Sequence, residues 1–223
     1  MSRERILANI RDSLQKNKIL GSEVSYQNPM KITAQHLVEE YIINQTNNKA
    51  IIKECTQENL LSTLQDILQT IEAKKVLYNM DIGLDLSVLS TEYTFIPYTK
   101  SIEEEREEFF HIDTSIVKAQ CGVANLGIVG LSSNVNAPRL SSLITNVCIY
   151  LLDKNDIVEN LYEGLNAIKL YEKNRSGTDI LPSNIVFVAG PSRTADIELQ
   201  TVFGVHGSRV TYILLYEKDC YEK

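Results

Sequence analysis

Three short apolar runs dominate the second half of the chain: TNVCIYLL (145–152), NIVFVAG (184–190) and VTYILLYE (210–217). Each is nearly continuous rather than alternating. A strand that is apolar on both sides must be covered on both faces, as in a parallel sheet between packed layers. After the first run, DIVENLYEGLNAIKLY carries Ile157, Leu161, Leu165 and Ile168 at helical spacing, with Asp156 placed to cap its start. The first half has the same rhythm. AIIKEC reads as a strand, ENLLSTLQDILQTIEAK sets Leu60, Leu64, Ile67, Leu68 and Ile71 on one helical face, and KKVLYNM and TEYTFIPY read as further strands. A strand–helix–strand crossover of this length pairs its strands in parallel. The expected fold is α/β: a mostly parallel sheet with helices on both faces.

Two helical patterns precede this domain. Ile6, Ile10 and Leu14 lie four apart, and Leu37, Val38, Tyr41 and Ile42 form a stripe within 32–45, with Gly21 and Pro29 between the two. They divide the chain into an N-terminal helical arm, 1–48, and an α/β domain, 49–223. In IEEEREEFF the charges read as a solvated helix start, with Phe109 and Phe110 turned inward. In HIDTSIVKAQCGVANLGIVGLSSN the glycines 122, 127 and 130 break the second half into turns and one short strand, 127–131.

Charge and cysteines exclude several functions. A formal net charge of -7 argues against nonspecific nucleic-acid binding, which needs a basic footprint. Cys55, Cys121, Cys148 and Cys220 are far apart, so neither zinc-knuckle nor iron–sulfur spacing is present; Cys148 reads as a small buried hydrophobe. His111 with Asp113 forms no metal pattern, and no metal is expected. The start, MSRERILANIRDSL, has no apolar core of a signal peptide, and no run is long enough to span a membrane. A reduced, cytoplasmic protein is expected.

Two segments concentrate polar chemistry. In GPSRTADIE the strand 184–190 ends at Gly190-Pro191 and is followed by Ser192, Arg193, Thr194 and Asp196. If a short helix begins there, at the carboxyl edge of the sheet, its first amides and Arg193 can hold a carboxylate or phosphate. The alternative is that Ser192 or Thr194 only caps that helix. In FGVHGS, His206 stands between Gly204 and Gly207 as a general base, a ligand contact or a plain loop residue. Ser192, Asp196 and His206 are the residue types of a hydrolytic triad, but the GxSxG elbow is missing. A third segment, GVANLGIVGLSSNVNAPR, brings Asn125, Ser132, Ser133, Asn134 and Arg139 forward as ligand contacts, or as turn residues. It lacks both standard phosphate-loop motifs.

The stretch GPSRTADIELQTVFGVHG followed by a last strand resembles the C-terminal signature of the LUD family of lactate-utilization proteins. LSSNVNAPRLSSLITNVCIYLLDKNDIVENL and RERILANIRDSL are similar to earlier parts of that family. The resemblance implies a fold like the CoA-transferase and sugar-phosphate-isomerase superfamily. It also implies a role in oxidising L-lactate to pyruvate beside partner proteins that carry the iron–sulfur clusters, with no cofactor in this chain. Many members read Glu-Thr-Gly-Thr where this chain has Asn125, Leu126, Gly127 and Ile128. The expectation is a subunit binding a small anion between GPSRTAD and GVHG, with Ser192, Arg193 and Thr194 as contacts and Asp196 and His206 as catalytic candidates. Its rivals are a stand-alone isomerase- or transferase-like enzyme and a non-catalytic assembly or regulatory subunit, and the chain could form a homo-oligomer.

Overall fold

The computed structural model describes residues 3–16, 36–99, 106–195 and 201–218. In chain order the elements are α1 (Arg3–Lys16), α2 (Leu37–Asn47), β1 (Ile51–Thr56), α3 (Leu60–Thr70), β2 (Lys75–Tyr78), β3 (Thr94–Pro97) and α4 (Arg106–Phe109). Then come β4 (Thr114–Lys118), β5 (Cys121–Val123), β6 (Ile128–Ser133), β7 (Val147–Asp153), β8 (Ile157–Val158), α5 (Leu161–Ser176) and β9 (Asn184–Val188). The chain closes with β10 (Arg193–Ala195), β11 (Thr201–Phe203) and β12 (Val210–Glu217).

Six strands form one sheet in the order β1-β12-β7-β4-β2-β3, and every neighbouring pair is parallel. The apolar runs at 147–153 and 210–217 are its central strands. Their side chains divide between two cores. Ile149, Leu151, Tyr212, Leu214 and Tyr216 pack with Leu60, Leu64, Ile67 and Leu68 of α3. Cys148, Tyr150, Leu152, Ile213 and Leu215 face the other way, onto Ala124, Val129, Leu131 and Ile157. Each fully buried Leu, Ile or Val side chain among them contributes roughly 1.5–3 kcal/mol relative to exposure.

The second face is where the structure departs from the expectation of helices on both sides. It is covered by a further sheet, β8-β5-β6-β9, and α5 lies on the outer side of that sheet through Ile168. The segment expected to hold turns and one short strand, 127–131, supplies that strand as β6 and adds β5. Gly130 makes this possible: a Cβ there would press on Cys121, Ile168 and Phe187. Helix α5 begins at Leu161, capped by the Asn160 side chain on the Glu163 amide, whereas Asp156 ends a 3-10 turn before β8. Asn160 has the extended backbone of a cap; Ile157, once counted on the helix, pairs instead with Gly122. Phe109 is buried as expected, but Phe110 is 69% exposed.

Helix α1 buries no side chain, while α2 is built into the second core. Tyr41 is fully buried and accepts a hydrogen bond from Gln45 at 2.9 Å. Asn44 and Asn48, at the end of α2, donate to the carbonyls of Ala124, Leu126 and Gly127. Gly127 has φ 57°, and a Cβ would collide with the backbone of Asn44, which explains glycine at that point. No helix among the described residues is long and apolar enough to cross a membrane.

Truncating Tyr41 should cost about 3–5 kcal/mol through the cavity left in the second core. Tyr41→Phe should cost only about 1 kcal/mol, for the Gln45 hydrogen bond. Urea unfolding of the two variants checks this, and equal losses would show that α2 is not packed as described.

Candidate functional site

Strand β9 pairs antiparallel with β6 in the second sheet, so its carboxyl end does not lie on the carboxyl edge of the parallel sheet. GPSRTAD instead meets the amino ends of the parallel strands. The loop 204–209 closes against Asn146, whose carbonyl accepts from the amides of Arg209 and Val210 as β7 and β12 begin. This corrects the expected placement on the carboxyl edge.

Among the described residues, the expected helix start at 192–195 gives way to a strand. Arg193–Ala195 is a strand, paired antiparallel with Thr201–Phe203. Thr194, Thr201, Val202 and Phe203 are β-branched or aromatic residues that suit a hairpin. The Ser192 amide donates to the Ser208 carbonyl at 2.8 Å, and the Ser192 carbonyl accepts from Gly204 at 2.8 Å. Its hydroxyl accepts from the His206 amide at 3.3 Å. Ser192 thus ties the GPS turn to the GVHG loop, and an anion-binding row of amides is replaced by pairing within the protein. A serine oxygen that accepts still has its own proton to donate.

Beside this knot lies a cleft of about 330 Å³, lined by Ser142, Tyr150, Ser192, Arg193, His206, Ser208 and Thr211 among others. Ser208 is 4% exposed, and its hydroxyl has no hydrogen-bond partner among the described residues. His206 is exposed at the rim. Arg193 is exposed too, with its guanidinium on the Asn48 side-chain oxygen at 3.3 Å. Gly190, at φ 64°, lets the turn pass against Asn48: a Cβ would run into the Asn48 carbonyl oxygen. Thr194 is exposed on β10 and does not line the cleft, and Asp196 lies outside the described residues.

The remaining candidates sit elsewhere. Asn125 is buried in the 3-10 turn before Gly127, its amide donating to the Glu159 carbonyl at 3.1 Å. Ser132, Ser133, Asn134 and Arg139 gather at the far end of β6. There Glu172 of α5, 2% exposed, accepts from Ser132, Asn134 and Arg175. Burial acts to raise its pKa, but the hydrogen bonds from Arg175, Ser132 and Asn134 outweigh it and hold the carboxyl below the usual glutamate range. The two buried cysteines are poor nucleophiles: burial pushes Cys148 up to about 11 and Cys121 up to about 12.

Sequence reasoning missed Asn48, Ser208 and Glu172. Glu172 had a signal, since it continues the Leu165–Ile168 stripe of α5 with a charge where an apolar residue is due. Ser208 and Asn48 had none, because their roles depend on contacts across the fold.

An unpartnered buried hydroxyl destabilises a protein. Ser208→Ala should therefore leave the melting temperature unchanged or raise it; a clear drop would mean that the hydroxyl is bonded internally. Glu172 titrates below its ordinary value of about 4.3, so its stabilising effect is present above that pH and is lost as pH falls through the folded value. Melting curves between about pH 6 and pH 3 should decline less steeply for Glu172→Gln than for wild type, and parallel declines would remove Glu172 from the acid response.

The LUD domain model matches residues 38–216. Over 173 residues the chain is 32% identical to lactate utilization protein C 1 of Bacillus mycoides, covering 74% of this chain and 72% of the relative. It is 26% identical over 227 residues to lactate utilization protein C of an Exiguobacterium species, covering 95% of this chain and 97% of that one. A 34% identical match to an uncharacterized protein of Neisseria meningitidis spans about half of that relative, 51% of its length. Among solved structures, a duf162 family protein from Deinococcus radiodurans superposes with a TM-score of 0.58 at 16% identity, covering 81% of this chain and 96% of that one. The match of the family model across the whole parallel sheet shows that this chain belongs to the LUD domain family.

Proposed function

We propose that the protein takes part in lactate utilization as a subunit that binds a small carboxylate in the cleft between Ser192 and His206. The observation that carries this reading is Ser208: a buried hydroxyl with no hydrogen-bond partner among the described residues, on a residue that lines a cleft with Ser192 and His206. Relatives named lactate utilization protein C support the choice of carboxylate. The hydroxyls of Ser192 and Ser208 would donate to the carboxylate, and Arg193 would add positive charge at the rim. His206 would face the ligand's own hydroxyl and accept its proton. Oxidation of lactate to pyruvate releases electrons as well as protons, and in this reading the electrons pass to iron–sulfur partner proteins. The compartment is the cytoplasm.

Two measurements test the reading. Calorimetric titration with L-lactate and with pyruvate should give binding that Ser208→Ala weakens roughly five- to tenfold. No heat from either ligand rejects the cleft as a carboxylate site. A deletion strain should lose growth on L-lactate as sole carbon source; unimpaired growth rejects the role.

A further inference from the structure

The connections of the parallel sheet open a crevice that none of the preceding chemistry uses. From β2 the chain runs outward to β3, and the connecting residues Ile82, Leu86, Leu89 and Tyr93 pack on the α3 face. From β4 it runs the opposite way to β7, through Ala119, Ala124, Val129 and Leu131 on the other face. Adjacent parallel strands whose connections leave in opposite directions, on opposite faces, separate at their carboxyl ends, and ligands of open α/β sheets bind in such gaps. Here β2 and β4 are the pair. The sequence places Asn79 and Asp81 just after β2 and Lys118 at the end of β4.

Asn79 is 1% exposed, and its side-chain oxygen has no hydrogen-bond partner among the described residues. The same is true of one carboxylate oxygen of Asp81. Both are acceptors and need a donor. The Lys118 ammonium lies 5.8 Å from the centre of the Tyr171 ring, and the Tyr171 hydroxyl donates to the other Asp81 oxygen at 3.5 Å. Asn79 and Lys118 line a small cavity of about 10 Å³, room for one donor group, with Ser133 and Arg139, and Ser133 and Arg139 also line an open cleft of about 850 Å³ beside it. Arg175 on that cleft is held by Glu172. Arg139 and Lys118 are therefore the cations placed to meet a ligand.

We propose that this crevice is a second binding site, for a small organic anion that carries a hydroxyl or amine donor. The anionic group meets Arg139 with the Ser133 and Asn134 side chains in the open cleft, and the donor points through the small cavity toward the Asn79 oxygen. The site is distinct from the cleft at Ser192 and His206 and does not depend on that cleft being occupied.

The test uses the full-length chain labelled with nitrogen-15, titrated separately with L-lactate and with glycerol 3-phosphate. Each carries a hydroxyl beside an anionic group; one presents a carboxylate and the other a phosphate ester. At least one should shift the amides of Asn79, Lys118 and Ser133, which identifies the anionic group that the site takes. Propionate, which lacks the hydroxyl of lactate, should bind at least about fivefold more weakly than lactate if the carboxylate is taken. Arg139→Ala and Asn79→Leu should each weaken the interaction roughly tenfold, while Ser208→Ala leaves it unchanged. Leucine is the bulkier residue, so if Asn79→Leu does not fold, Lys118→Gln takes its place, with the same weakening expected. Shifts from neither compound, or shifts that survive Arg139→Ala and vanish in Ser208→Ala, overturn the proposal without touching the reading of the other cleft.

Discussion

The structure depends on covering both faces of β7 and β12. All of β7 after Val147 is buried, and its side chains enter two separate cores in alternation. Parallel strands of this kind have no solvated face to spare. One face is closed by α3 and the segment 82–93. The other is closed by a second sheet, which is thin enough to need α5 behind it. Helix α2 then seals the edge, and its terminal asparagines fasten the turn at 124–127. The second sheet thus follows from the first: it is the layer that makes the continuous apolar strands tolerable.

That layering decides where chemistry can sit. Because β9 belongs to the second sheet, the polar turn after it is delivered to the amino ends of β7 and β12. The turn's backbone is consumed by pairing with β11 and with the 204–209 loop. Amides committed to such bonds are not available to a ligand, since breaking them would strand buried donors. What remains at this end is a set of side-chain hydroxyls around one exposed histidine. The reading of the site therefore moves from peptide amides to Ser192 and Ser208, with Arg193 at the rim beside Asn48.

Much of the first sheet was legible in the sequence. The runs at 147–153 and 210–217 are its central strands, and α3 carries its stripe where the spacing put it, because in these segments burial alone decides the pattern. The run at 184–188 is a strand too, but half-buried and in the second sheet. The second sheet was legible only in part: β6 is the strand expected at 127–131, whereas β5 and β8 are three and two residues long, and Gly122 of β5 serves packing against Leu152 and Tyr41 rather than turning. The start of α5 was misplaced because Ile157 fits both a helical stripe and a two-residue strand. GPSRTAD was expected to begin a helix because its residue types suit a cap as well as a hairpin, and only the partner strand at 201–203 chooses between them. Of the candidate contacts, Ser192, Arg193 and His206 do share a cleft, while Ser132, Ser133, Asn134 and Arg139 assemble at the other end of β6.

The two ends are not isolated from each other. The segment after Arg139 starts at the carboxyl edge, where its amide donates to the Ser133 hydroxyl, and reaches Asn146 at the amino edge, where β7 begins. Ser142 and Val186 line both the small cavity beneath Asn79 and the cleft beside His206. The Tyr150 hydroxyl donates to the Ser142 carbonyl at 3.4 Å, within the core between the sheets. A shared wall of this kind sets the two ends back to back on one rigid core. The chemistry at the two ends differs, with hydroxyls and a histidine on one and cations with orphaned acceptors on the other. Two ends so unlike in donors and charge suit different parts of a ligand set better than two copies of one molecule.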